Sequence, residues 1–449
     1  MGLRHRALAI LHTGAIVYLY AVHPAGAQIF TAQQPLVITH VNVVDVAEGR
    51  ILPDKTIVIR GDRTAGVENS SFKVPAKARL IDARGQFAIP GLWDMHVHLS
   101  YATESALPLL LANGVTGVRD MGSSLTQIDR WRAEIDAGVR PGPRIVRVGP
   151  ILNGRSFNQY QIAVGNPDEA RGVVRALKQA GVDFIKIHRR VPRDSYFALM
   201  EEAKKQGIRV VGHVPLTVTT AEASDAGQAS IEHIETFFEA TVTNGELLDL
   251  NGASIHKYLA DHGSALFAKL VANHTVVTPT LSPWKAEISL RDGSPPNPNF
   301  RYVPASQRKV PIQPMNVPLQ EVFGGFCDAV RQMHAAGVTL MAGTDVSVYP
   351  RIPGFMLHDE LETLVECGLT PADALRAATL VPAIFLERQS DYGSIQAGRL
   401  ADIVLLDEDP LQDIRNTRKI RNVIIGGKLL RRMDLDRLLG EAERRAAVN

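Results

Sequence analysis

Six residues far apart in the chain could do metal chemistry together: His96, His98, Lys186, His213, His233 and Asp345. His96 and His98 sit two apart in GLWDMHVHLS, residues 91–100. Side chains at i and i+2 of a strand point the same way, so the pair projects together with Asp94. An isolated His-x-His pair suits a plain surface strand as well as a metal clamp. Repetition at strand ends changes the odds. His213 lies at the end of the strand RVVGHV (209–214), His233 ends SIEH, and Asp345 ends MAGTD. Lys186 stands near the end of VDFIKI, an otherwise apolar strand where a free charge is costly. Either it pairs with Asp345 or Glu232, or its amine has reacted with CO₂ to give a carbamate. A carbamate is an anionic oxygen ligand that can bridge two metals. Four imidazoles, one carboxylate and one carbamate suit two Zn²⁺ ions.

Elements with two textures must position these residues. The ends of the chain are β-rich: 36–48 and 56–60, a hairpin at 79–89, then 401–407 and 420–430. A β segment at each end predicts that the two ends pack as one small β domain. In the middle, short apolar strands alternate with helices. The spacing predicts helices over 125–137, 167–180, 194–206, 356–367 and 371–379. The sharpest start is Asn166-Pro167-Asp168-Glu169, an N-cap with Pro at N1 and Glu at N3. About eight β/α repeats follow residue 91, the number that closes a (β/α)₈ barrel. A doubly wound sheet is the competing arrangement, but no Gly-rich dinucleotide fingerprint follows any strand. Active sites of (β/α)₈ barrels gather at the C-terminal strand ends, where all six residues fall. Residues 281–325, rich in Pro and Asn, read as a long loop over the barrel mouth.

Bulk properties narrow the setting. The chain has 449 residues, 45% hydrophobic and 21% charged, a globular balance. Arg4 and Arg6 precede an apolar run over 7–22 and the small-residue site Ala25-Gly26-Ala27. That is the shape of a secretory signal peptide over 1–27. A membrane anchor is the alternative, but the run is short for a span and His12, Thr13 and Gly14 interrupt it. Cleavage would leave a periplasmic or secreted chain with no stable membrane span. Without Arg4 and Arg6, the 49 Lys and Arg fall level with the 47 Asp and Glu. A neutral chain offers no electrostatic basis for nucleic acid. Cys327 and Cys367 could pair in an exported protein, but spacing does not decide it.

The motifs PGLWDMHVHL, DFIKI, VVGHV, IEHIE and AGTD, with the tail LVECGLTPADALRAAT…GSIQAGRLADIVLLDEDPL, resemble the amidohydrolase superfamily. The resemblance points to its imidazolonepropionase-like and Xaa-Pro dipeptidase-like members and covers nearly the whole chain after residue 27. It implies an α/β fold: a (β/α)₈ barrel over 91–390 and a small β-sandwich from 28–90 and 391–449. It implies that His96, His98, His213, His233 and Asp345 bind two divalent ions, that Lys186 is the carboxylated bridge, and that Asp345 moves the proton. The reaction implied is hydrolysis of a C–N bond in a small-molecule amide or cyclic amide. A homo-oligomer rests on the resemblance alone.

His188 and His358 are candidate substrate contacts, and one of Arg155, Arg189, Arg190 and Arg351 could hold a substrate carboxylate. Dipeptide-cleaving relatives read HAY where this chain reads His213-Val214-Pro215. They carry a Gly-Gly-His loop where this chain reads NGRSFNQY over 153–160. These departures weaken the dipeptidase or carboxypeptidase reading and leave the metal set intact. A lactone or ester hydrolase would use the same site. A periplasmic metal- or ligand-binding protein without catalysis is the reading from another class.

Overall fold

The computed structural model describes residues 34–239, 250–309 and 317–448, and the expected signal peptide over 1–27 lies outside them. Val- and Ile-rich stretches open the described chain as strands, because branched side chains pack well on a pleated surface. They are β1 (Leu36–Asp45), β2 (Arg50–Arg60), β3 (Arg63–Asn69), β4 (Arg79–Asp82) and β5 (Phe87–Pro90). The expected hairpin at 79–89 is not formed. β4 and β5 both run parallel to β1, along its first and second halves. The turn between them, closed by Gln86 N–H on the Ala83 carbonyl, re-aims the chain along β1 instead of reversing it.

A parallel region follows. β6 (Leu92–Val97), β7 (Val115–Asp120) and β8 (Arg144–Arg147) form one sheet in that order. β9 (Ile151–Asn153), β10 (Gln161–Ala163), β11 (Phe184–Ile187), β12 (Arg209–Gly212), β13 (Ser230–Glu232) and β14 (Val276–Thr278) form a second, ordered β10-β9-β11-β12-β13-β14. Parallel bridges Val277–Leu340 and Val97–Val346 set the 338–346 segment between β14 and β6. β6, β7 and β11 are buried along their whole length, as expected of parallel strands covered on both faces. The helices lie close to their predicted spans. In Pro167–Gln179, the Asn166 side chain accepts from the Asp168 and Glu169 N–H groups, while Ala170, Val174 and Leu177 are buried.

Residues 281–325 are not the expected loop. They hold the helix Ser282–Ser289, a 3₁₀ turn at Pro298–Tyr302 and the start of the helix Leu319–Ala335. Pro283 and Pro298 sit in first turns, where a missing N–H costs no hydrogen bond. Prolines read as breakers act here as starters. Cys327, on Leu319–Ala335, is disulfide-bonded to Cys367 at the end of the helix Phe355–Glu366.

β15 (Ile403–Leu406), β16 (Ile420–Ile425) and β17 (Lys428–Arg431) return to the opening strands. β15 pairs antiparallel with β5, giving one mixed sheet ordered β17-β16-β15-β5-β1-β2-β3. Ile38, Ile57, Ala88, Ile403, Leu405 and Ile424 pack there in a core separate from the main one. Among the described residues, no helix is long and apolar enough to cross a membrane.

Candidate metal centre

The C-terminal ends of the parallel strands meet at a cavity of about 420 Å³. His98, Lys186, His188, His213, His233 and Asp345 line it. His96 is fully buried beside them, its ring centroid 4.5 Å from that of His233 and 5.3 Å from that of His98. The His213 ring lies 4.2 Å from His188 and 4.5 Å from His233. Asp345 Oδ1 stands 3.1 Å from His98 Nε2 and 3.5 Å from His96 Nε2. One ligand atom each from His96, His233 and Asp345 falls within 4.8 Å of the others.

Local backbone features make this convergence. A Cβ on Gly343 would stand 2.8 Å from the His96 Cβ and 2.9 Å from its backbone nitrogen. Glycine there lets the 338–346 segment approach β6 closely enough to bring Asp345 to His96. Asp94 fixes the same junction: it accepts from the backbone N–H groups of His96 and Thr344 and from the Thr344 hydroxyl. It is a buried staple between two strands. His233 and Asp345 themselves have φ of 69° and 53°, a conformation strained for residues with a Cβ.

A buried polar set orients the imidazoles. Glu232 Oε2 stands 3.0 Å from His96 Nδ1. Its other oxygen accepts from Arg119 Nη2 at 2.7 Å and from the Ser230 hydroxyl. Arg119 also donates to the Met95 carbonyl at 2.7 Å. This carboxylate–histidine arrangement fixes which nitrogen of His96 faces Asp345. Thr280 Oγ1 does the same for His233, 2.8 Å from its Nδ1. Arg351 Nη1 donates to Asp345 Oδ2 at 2.7 Å.

The electrostatics follow from burial. Burial, then the nearby Lys186 ammonium, lowers His96 to about 3, and burial with Lys186 and Arg189 lowers His188 to about 3. Burial holds His213 and His233 well below the usual imidazole range. All four are neutral at pH 7, with lone pairs free to bind a cation. Burial lowers Lys186 to about 8 against the pull of Glu232 and Asp345, so a fraction of its amine is neutral and nucleophilic. Burial would raise Asp345, but Arg351 and His98 hold it well below the usual carboxylate range. Among the described residues, His96 Nε2, Lys186 Nζ and His213 Nδ1 are buried and have no hydrogen-bond partner. Orphaned polar atoms of this kind are costly, and a cation would satisfy the imidazoles among them. Neutral imidazoles, an ionised carboxylate and a lysine able to form a carbamate fit divalent metal ions.

The expected metal ligands and His188 meet here, and of the four candidate arginines Arg189 and Arg351 line the cavity while Arg155 and Arg190 lie over the Phe157 ring instead. His358 is 1% exposed, its ring nitrogens 2.9 Å from Thr417 Oγ1 and 3.1 Å from the Asn113 carbonyl. It does not line the cavity, so the expectation of a substrate contact is corrected: its position after the last strand is also the start of a packed helix. Lys186 makes neither of the salt bridges considered for it. Sequence reasoning missed Arg119 and Tyr101. Tyr101 lines the cavity, edge-on to His98 at 5.7 Å, and donates to Asn158 Oδ1 at 3.1 Å. An aromatic residue three positions after the His-x-His pair was the available signal.

The amidohydrolase family model matches residues 87–430. The chain belongs to that family. It is a family of hydrolases, with members acting on amide bonds, and the resemblance read from the motifs is borne out. The chain is similar to the ochratoxinase of Aspergillus niger, 23% identical with 92% of each chain covered. It is also similar to the imidazolonepropionase of Symbiobacterium thermophilum, 24% identical over 73% of this chain and 76% of that one. A crystal structure from Bifidobacterium longum, assigned as a prolidase, aligns at 29% identity and a TM-score of 0.67, covering 92% of this chain and 99% of that one.

Proposed function

We propose that the protein is a metal-dependent amidohydrolase that cleaves the C–N bond of a small-molecule amide or cyclic amide. One observation carries this reading: among the described residues, the buried polar atoms His96 Nε2, Lys186 Nζ and His213 Nδ1 have no hydrogen-bond partner, while Lys186 and His213 line one cavity with Asp345 and His233 and His96 lies buried beside them. His96, His98, His213, His233 and Asp345 would hold two divalent ions, zinc by ligand chemistry, and Lys186 as a carbamate would supply a further anionic oxygen ligand. When bound, such ions supply Lewis-acid polarisation of a carbonyl and an acidified water. Asp345 takes the water proton as the C–O bond forms and gives it to the nitrogen as the C–N bond breaks. Arg351 holds the second Asp345 oxygen, leaving Oδ1 aimed at the histidines. His188 contacts the substrate from the cavity wall.

The parallel pairings from β6 to β14, with the bridges at 340 and 346, support a closed (β/α)₈ barrel over 91–390. The mixed sheet supports a separate β domain from 28–90 and 391–449. Residues 1–27 act as a signal peptide and deliver the chain to the periplasm or outside. The test is metal content after purification with bicarbonate and zinc, for wild type and Lys186→Ala. About two ions in wild type and a clear loss in the variant are expected; one or none in wild type would sink the two-metal reading. Amides, dipeptides and lactones assayed side by side then separate this activity from the peptidase and esterase alternatives.

A further inference from the structure

One more nitrogen at the cavity is unaccounted for. His188 Nδ1 is buried and, like Lys186 Nζ and His213 Nδ1, has no hydrogen-bond partner among the described residues. The sheet puts these three side by side. Lys186 is the next-to-last residue of β11 and His188 the first past it, so their side chains project together. The parallel register sets Ile187 against Gly212, and His188 and His213 follow as neighbours. The His188 N–H donates to the Leu152 carbonyl at 2.8 Å, and the His213 N–H to the Ile187 carbonyl at 3.2 Å. Gly212 allows the close approach. Its φ is 127°, and a Cβ there would stand 2.3 Å from the Ile187 carbonyl oxygen and 2.9 Å from Lys186 Cδ.

The donors of the centre fall into two groups. His96, His233 and Asp345 bring ligand atoms within 4.8 Å of one another, and His98 Nε2 joins them 3.1 Å from Asp345 Oδ1. Among the described residues, no comparable trio of imidazole and carboxylate atoms includes His213. The second group is therefore His213 with Lys186. Uptake of CO₂ by Lys186 forms an N–C bond at Nζ, releases a proton and adds an anionic oxygen. That makes two protein ligands, where catalytic zinc sites use three and keep one position open. Glu235 is the other carboxylate on the cavity wall, and it accepts from the Trp284 indole N–H at 3.2 Å. His188 lines the same cavity, its ring 4.2 Å from that of His213.

We infer that His188 is a metal ligand, its Nδ1 joining His213 Nδ1 and the Lys186 carbamate on the second ion. This rests on the two-metal reading above and adds a ligand that the family resemblance does not supply. Nε2 is left for the substrate contact.

Zinc titration against a chromophoric chelator, in bicarbonate, tests it on wild type, His188→Ala and His188→Gln. The second variant keeps the bulk should the first fail to fold. One of the two zinc affinities should fall by more than the about 10–100-fold that losing a residue behind a ligand costs, while the other holds. A crystal structure of the zinc-loaded protein should place His188 Nδ1 about 2.0–2.1 Å from an ion. Two affinities equal to wild type in both variants, or Nδ1 turned away from both ions, would overturn the inference and leave the two-metal reading standing. One ion in wild type would sink that reading, and the ligand role would survive only if His188→Ala loses this ion. Amide turnover is read separately. A variant that loses one affinity, in a protein that hydrolyses no amide, keeps His188 as a ligand and sinks the hydrolase reading.

Discussion

At the strand ends away from the metal centre, Arg144 donates to Asp402 at 3.0 Å. Arg209 donates to the Phe385 carbonyl at 2.7 Å and stacks over Phe184 at 4.7 Å. At the cavity end of the same sheets, His96, Lys186 and His213 bury polar atoms that find no hydrogen-bond partner among the described residues. The first arrangement is how a fold manages charge for its own sake. The second lowers stability, a cost of the kind that folds retain at functional sites. Between the two ends lies Arg119–Glu232, fully buried and fully paired, which belongs to both: it satisfies the core and aims His96.

The comparison can be broken at several places. Asp345→Asn keeps the shape and removes the proposed proton acceptor, so kcat should fall by about 10²–10⁴-fold. Steady-state kinetics that showed an unchanged kcat would remove Asp345 from proton transfer. Arg119→Met leaves Glu232 buried and unpaired, and urea unfolding should report a loss of about 3–5 kcal/mol. A near-neutral result would mean that His96 and the Ser230 hydroxyl suffice to hold the buried Glu232 carboxylate. Glu232→Gln keeps the volume but loosens the aim of His96, with metal affinity or activity dropping about 10–100-fold. Metal titration unchanged from wild type would assign Glu232 to packing alone. Lys186→Met should, in metal-free protein, raise stability by about 1–3 kcal/mol, because an unsatisfied buried amine is replaced by an apolar chain of similar length. A loss of stability there would mean that the amine has a partner and would erase the contrast between the two ends. Arg209→Gln, at the satisfied end, should cost about 0.5–1 kcal/mol in thermal unfolding and leave kinetics untouched.

Much of the site could be read from local patterns. The His-x-His pair, a lysine in an apolar strand and acids or imidazoles at strand ends are each visible within a few residues. So is the N-cap at Asn166, since capping bonds span two or three residues. What escaped depends on partners distant in sequence. Arg119 meets Glu232 across 113 positions, and neither segment marks the other. His358 looks like a site residue until Thr417 and Asn113 take both its nitrogens. β4 and β5 look like a hairpin because alternation gives strands but not their neighbours. The helices within 281–325 were hidden by prolines whose effect reverses at a first turn.

The bond between Cys327 and Cys367 closes a covalent ring that contains Asp345, Tyr349 and Arg351. A protease that cuts the chain once inside this ring, for example in the turn after Asp345, releases nothing. The two pieces stay tethered, and the nicked molecule runs as one band on a gel until a reductant is added. Loss of activity after such a cut would therefore report movement of the ring's own residues, not departure of a fragment.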